Sequence, residues 1–199
     1  MTIAKNPVVL VHGLYDTVTV FDTISTDLAQ SGWLVHSLNL IPNYGSAKLE
    51  ILALQLAEYI THTFPADQPI DIIGFSMGGL ITRYYLQRLE GIKKVQRYIN
   101  ISAPNRGTTI AYSLPLPGIV QMRPDSDFIK DLNQDCQHRL NQIKCTFIWT
   151  PYDLMIVPAS STLLGIGREI QIPVILHAWM VKDQRVLKAI KEALLEPIM

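Results

Sequence analysis

The sequence predicts an α/β fold, with about six mostly parallel strands flanked by helices on both faces. Three observations lead there. Short, continuous apolar runs rich in β-branched residues recur along the 199 residues, as strands buried on both faces require. Between them lie segments whose apolar residues repeat at helical spacing. One apolar run ends in Gly74-Phe75-Ser76-Met77-Gly78, which sets a serine on a sharp strand-to-helix turn. Alternating strands and helices imply parallel pairing through right-handed crossovers. No repeat or interior linker interrupts the pattern, so 1–199 is expected to be one domain.

Pro7-Val8-Val9-Leu10-Val11 is the first strand, ending at His12-Gly13-Leu14-Tyr15-Asp16. Phe21, Ile24 and Leu28 then mark a helix closed by Ser31-Gly32. Trp33 to Leu40 reads as the second strand and Ile41 to Ser46 as a loop. Leu49, Leu52, Leu56 and Ile60 share one face of a long helix. Ile70 to Phe75 is the third strand, and the helix after Ser76 runs to about Glu90, with Gly91 as its stop. Val95 to Ser102 is the fourth strand. A Pro-rich connection follows, holding a helix from about Ser126 to Leu140 and no helical lid at Leu114–Val120, where Pro115 and Pro117 stand. Cys145 to Thr150 is the fifth strand. Ile170 to Leu176 is a weak sixth, because Pro173 points to an edge or a late bend. Asp183 to Leu195 closes the chain as a helix.

Composition excludes several function classes. Apolar residues make up 48% and charged residues 17%, with a formal charge of zero, so nothing resembles the basic patch of a nucleic-acid binder. No stretch reaches the roughly 20 apolar residues of a membrane span, and no signal peptide is visible. Cys136 and Cys145 lack metal-ligand spacing and fit free thiols in a reducing compartment. These features lead to an expected cytoplasmic location, with peripheral membrane contact left open.

The turn at Ser76 has the form of a nucleophile elbow. Its serine is held in strained backbone angles, and glycines two residues to either side, Gly74 and Gly78, are needed to avoid clashes. A serine hydroxyl is a poor nucleophile at neutral pH and needs a base beside it, with a third group to orient that base. On such sheets the chain order is serine, acid, histidine. His177, just past the sixth strand, stands where the base belongs; His12, His36, His62 and His138 are worse placed. Asp153, after the fifth strand, suits the acid. Asp125 and Asp127 suit helix capping, and Asp183 falls after the histidine. An oxyanion hole would use the backbone N–H groups of Met77 and Leu14, each worth about 2.7–4 kcal/mol in the transition state. His12 reads as a hydrogen-bonded strut of the Leu14 loop.

Val9-Leu10-Val11-His12-Gly13-Leu14, the Gly74–Gly79 elbow and Ser102-Ala103-Pro104-Asn105-Arg106-Gly107-Thr108 together resemble the α/β-hydrolase superfamily. Within it the chain is similar to small bacterial lipases with six strands and no cap domain, from about Pro7 to Leu195. Asp153-Leu154-Met155-Ile156-Val157 is similar to their acid loop. The resemblance implies a minimal α/β-hydrolase fold and carboxylic-ester hydrolysis, often of acylglycerols, without metal or organic cofactor. It carries Ser76, Asp153 and His177 over as the triad and Leu14 and Met77 as the oxyanion hole. Phe75 departs from the histidine many lipases place before the nucleophile, which loosens the substrate assignment and not the chemistry. Tyr15, Asn43 and Tyr44, on loops expected around Ser76, with Leu114 and Ile156, are the candidate substrate-binding residues. The Leu114–Val120 run reads equally as an acyl-chain wall or lipid-surface contact and as a Pro-stiffened loop packed on its own domain. The expected partner is an ester or acyl-lipid substrate. An acyltransferase or thioesterase on the same triad, and an idle lipid- or protein-binding fold, are the alternatives.

Overall fold

Six strands hydrogen-bond into one sheet in which every neighbouring pair is parallel. They are β1 (Val8–Val11), β2 (Val35–Ser37), β3 (Ile70–Phe75), β4 (Val95–Ile101), β5 (Lys144–Trp149) and β6 (Arg168–Gln171). Their spatial order is β2-β1-β3-β4-β5-β6. This is a computed structural model and it describes residues 5–198.

The pleat divides each buried strand between two cores. Val9, Val11, Ile70, Ile72 and Tyr98 point to one face, where α2 (Leu49–Thr63), α3 (Met77–Arg88), α5 (Asp127–Gln134) and α6 (Cys136–Leu140) pack. Val8, Leu10, Ile73, Phe75, Ile99 and Ile101 point to the other, under α1 (Asp22–Gln30) and α7 (Gln184–Leu194). Each fully buried Val, Leu or Ile contributes about 1.5–3 kcal/mol. Burial on both faces explains why these strands read as unbroken apolar runs. Asp71 and Arg97 are exceptions: at the amino ends of β3 and β4 they form a buried ion pair at 3.0 Å. Asn6 adds a bond to Asp71 at 3.0 Å, and the Arg97 guanidinium also donates to the Glu196 carbonyl at 2.8 Å.

Several expected boundaries move. β2 is only three residues long, at one edge of the sheet. The sixth strand lies at 168–171 rather than 170–176, because Pro173 has no N–H to continue the ladder. The helix expected over 126–140 breaks at Asp135, whose carboxylate takes bonds from Gln87 at 2.8 Å and Arg88 at 2.9 Å of α3. Ser126, not Asp125 or Asp127, caps α5, accepting from the Ile129 amide at 3.2 Å. The left-handed residue ending α3 is Glu90, at φ 61°, not Gly91. The Leu114–Val120 segment does contain a helix, α4 (Pro117–Val120). Pro117 is its first residue, where the missing N–H costs nothing.

One buried charge ties the long excursion after β4 to α3. Arg83 of α3 is fully buried and, among the described residues, meets only neutral acceptors. It donates to the Leu132 carbonyl at 2.7 Å, the Asn105 carbonyl at 3.1 Å, Asn133 at 3.0 Å and Gln87 at 3.1 Å. α3, α5 and the loop after β4 therefore share one anchor.

Candidate active site

The strand register brings the site to one edge. Val11 pairs with Gly74, Phe75 with Ile101, and Ile101 with Ile148. The carboxyl ends of β1, β3, β4 and β5 thus come level, where sites gather in such sheets.

Ser76 sits between β3 and α3 at φ 53° and ψ −127°, a conformation that costs a non-glycine residue on the order of 1–3 kcal/mol. A Cβ on Gly74 would come within 2.7 Å of the Gly79 Cα, and one on Gly78 would fall on the Val11 carbonyl oxygen. The glycines let α3 lie against β1 and hold the serine up. The Ser76 amide donates to the Ile101 carbonyl at 2.9 Å, fixing the turn to β4.

The loop after β1 is held independently. His12 is fully buried. Its Nδ1–H donates to the Gly13 carbonyl at 2.9 Å, and its Nε2 accepts from the Leu40 amide at 3.0 Å. Both nitrogens are occupied in the neutral tautomer, and burial pushes the imidazole below its ordinary pKa. The Tyr15 amide donates to the Asn43 carbonyl at 2.9 Å, and the Asn43 side chain donates to the Asp16 carbonyl. This leaves the Leu14 and Met77 N–H groups without a protein partner among the described residues.

Asp153 and His177 meet from two further loops. Asp153 Oδ1 accepts from the amides of Met155 at 2.9 Å and Ile156 at 3.0 Å. Its Oδ2 stands 2.7 Å from His177 Nδ1. An ionised carboxylate only accepts, so Nδ1 carries the proton and Nε2 is left as an acceptor. That Nε2 is buried and has no partner among the described residues. His177 Nε2 and the Ser76 hydroxyl are not hydrogen-bonded to each other, although both residues border one cavity. Such contacts are commonly long until the reacting complex forms.

That cavity, of about 400 Å³, is walled by Leu14, Tyr15, Met77, Leu114, Ile119, Met122, Met155 and Ile156 around Ser76 and His177. Of the residues expected to touch substrate, Tyr15, Leu114 and Ile156 border it. Asn43 and Tyr44 do not. Asn43 is spent on the loop after β1, and Tyr44 is half exposed. A wider depression of about 770 Å³, bounded by Arg106, Lys130, Asp135 and His138, shares no residue with this cavity.

Three supports were not visible in the sequence. The Phe75 ring stacks on the His177 ring, with centroids 4.9 Å apart and planes at 30°, so the residue that departs from the lipase pattern backs the histidine. Thr150 Oγ1 donates to the Val174 carbonyl at 2.6 Å and accepts from its amide at 3.1 Å, joining the acid loop to the histidine loop. Thr108 Oγ1 donates to the Met155 carbonyl and accepts from the Val157 amide, both at 2.9 Å, bracing the acid loop from the loop after β4. No pattern in the sequence pairs the two threonines with their partners across 24 to 49 positions. For Thr150, a hydroxyl directly after β5 was the one available signal.

A parallel sheet of this order, with a strained serine after β3 and an acid and a histidine after β5 and β6, defines an α/β-hydrolase fold. Solved structures agree. The mature form of Bacillus licheniformis lipase BlEst2 superposes with a TM-score of 0.78 at 15% identity, over 96% of this chain and 92% of that one. Aspergillus fumigatus lipase B gives 0.79 at 18%, over 98% and 53%. Polyneuridine aldehyde esterase gives 0.67 at 17%, over 95% and 99%. This chain therefore spans about half the length of the Aspergillus enzyme. At these identities the likeness establishes the fold. The palmitoyl protein thioesterase family model matches residues 7–152, and the chain belongs to that hydrolase family. The matched span contains the elbow; Asp153 and His177 lie beyond it.

Proposed function

We propose that the chain hydrolyses acyl esters and thioesters through Ser76, with His177 as base, Asp153 as its orienting acid, and the Leu14 and Met77 amides as oxyanion hole. The observation that carries this reading is the His177–Asp153 bond at 2.7 Å, which leaves a buried Nε2, without a partner among the described residues, beside the cavity that holds Ser76. Ser76 Oγ attacks the acyl carbonyl carbon while its proton passes to Nε2. The carbonyl oxygen gains the negative charge and turns to the two free amides. The imidazolium then protonates the departing alcohol or thiol, leaving an acyl-serine. Water loses a proton to Nε2, attacks the acyl carbon and frees the acid. No cofactor is needed for any step.

Family membership favours thioesters among the substrates, and the apolar cavity walls favour an acyl chain over a polar one. Exposed Tyr15, Leu154, Ile175 and Trp179 suit contact with an acyl-lipid surface; Leu154 is 75% exposed. Among the described residues no helix is long and apolar enough to cross a membrane.

The test is turnover of chromogenic esters and acyl thioesters of graded chain length by the wild type and by Ser76→Ala, with labelling by a fluorophosphonate. Turnover that vanishes in the variant, with the label on Ser76, supports the reading. Full activity in a folded Ser76→Ala protein would remove it. An added alcohol acceptor that captures most of the acyl group would favour acyl transfer over hydrolysis.

A further inference from the structure

The cavity at Ser76 carries a single formal charge. Of the residues that line it, only Asp16 belongs to the Asp, Glu, Lys and Arg types; the remainder are apolar or neutral, His177 apart. Asp16 Oδ2 lies 3.0 Å from the point where a Cβ on Gly13 would stand, and Ser76 Oγ lies 3.4 Å from the same point. The carboxylate and the nucleophile therefore flank Gly13 together. No Lys or Arg pairs with Asp16 among the described residues. The loop is held largely by other atoms, the Asp16 backbone oxygen taking the Asn43 bond and His12 fixing the Gly13 carbonyl, while the Gly13 backbone also bonds the Asp16 carboxyl. Burial raises the Asp16 carboxyl above its ordinary pKa, against the pull of His12 and His177, the titratable groups that face it.

We propose that Asp16 sets the charge preference of the site, admitting neutral and cationic groups beside the scissile carbonyl and rejecting anionic ones. This rests on the serine chemistry proposed above. A unit charge brought next to Ser76 in this half-closed cavity meets a fixed carboxylate a few ångströms away. Screening by water reduces the effect to about tenfold in binding or rate.

The test compares three butyryl thioesters whose leaving groups differ in charge, thiocholine (cationic), mercaptoethanol (neutral) and thioglycolate (anionic), each rate being divided by that of the same ester with hydroxide to remove its intrinsic reactivity. The wild type is expected to prefer the cationic over the anionic ester by about tenfold or more in kcat/KM. Asp16→Asn and Asp16→Ser, two neutral replacements of different shape, are each expected to lower that ratio about tenfold. An unchanged ratio in both would overturn the proposal. Calorimetric binding of octylammonium, octanol and octanoate to Ser76→Ala protein, with and without Asp16→Asn, reads the same preference without turnover. If no thioester is hydrolysed, the serine mechanism falls while the binding arm still decides the role of Asp16. Equal affinities of the two ions for the Ser76→Ala protein would overturn it.

Discussion

Replacing Asp153 by Asn isolates the part of the site that hydrogen bonding controls. The two amides on Asp153 Oδ1, Met155 N at 2.9 Å and Ile156 N at 3.0 Å, both need an acceptor. An Asn turned the wrong way would leave two buried donors facing its NH2, at about 1–3 kcal/mol each. Its oxygen therefore stays on these amides, and its NH2 group faces His177 Nδ1. That nitrogen must then accept, which moves the imidazole proton to Nε2. A protonated Nε2 cannot take a proton from Ser76. Wrong-tautomer triads of this kind lose about 10⁴ in kcat, equivalent to about 5.5 kcal/mol of barrier. KM should change little, since the walls of the cavity are untouched. The assay is hydrolysis of a chromogenic ester, with the fold checked by a cooperative melt. A folded Asp153→Asn protein with kcat within tenfold of the wild type would refute the argument.

Other consequences follow from buried groups. Arg97→Ala strands the Asp71 carboxylate, which is fully buried, and should cost about 3–5 kcal/mol in urea unfolding; a loss below 1 kcal/mol contradicts the ion-pair account. Phe75→Leu keeps most of the buried volume but removes the ring behind His177. At about 0.5–1.5 kcal/mol for an aromatic pair, kcat should fall by up to about tenfold, and an unchanged kcat would leave that ring with packing alone. His12 and His36 are both pushed below their ordinary pKa by burial, so on acidification the unfolded chain takes up protons first. Stability should therefore fall as pH drops through about 6.5, chiefly through the fully buried His12 and less through the partly exposed His36. A urea midpoint that stays flat from about pH 7.5 to 5.5 would speak against both.

What could be read from the residues depended on whether the cause was local. The strands at 8–11 and 70–75 are buried on both faces and show it as continuous apolar runs. The turn at Ser76 carries its own glycines. The expected roles of Asp153 and His177 rest on the chain order of sheets with a nucleophile elbow, and the fold brings these two side chains within 2.7 Å. Departures came where a distant group decides. The break at Asp135 depends on Gln87 and Arg88, 47 to 48 positions away. Pro117 looked like a helix breaker but is used at a first helical turn, which Gly118 ties to the Gly45 carbonyl at 2.8 Å. Asn43 resembled a pocket residue because its loop is near Ser76, yet its side chain points back into the loop after β1. The charge of Asp16 could be read from its letter; its position opposite Ser76 across Gly13 needed the folded turn.

The histidine hangs from the rim of the sheet while the serine stands at its centre. β6 bonds to a neighbour on one side only and is largely exposed. The segment leading to His177 is then tied inward by Ile172 to Trp149 at 2.8 Å and by the paired bonds of Thr150. β3 lies between β1 and β4 and is buried along its whole length. Mild heating should therefore peel the margin before it melts the middle. Catalysis would fade reversibly several degrees below the cooperative transition, in a molecule whose helices still give a native far-UV spectrum. A working lifetime set by its hem rather than by its core would lengthen most through added cross-links between β5 and β6.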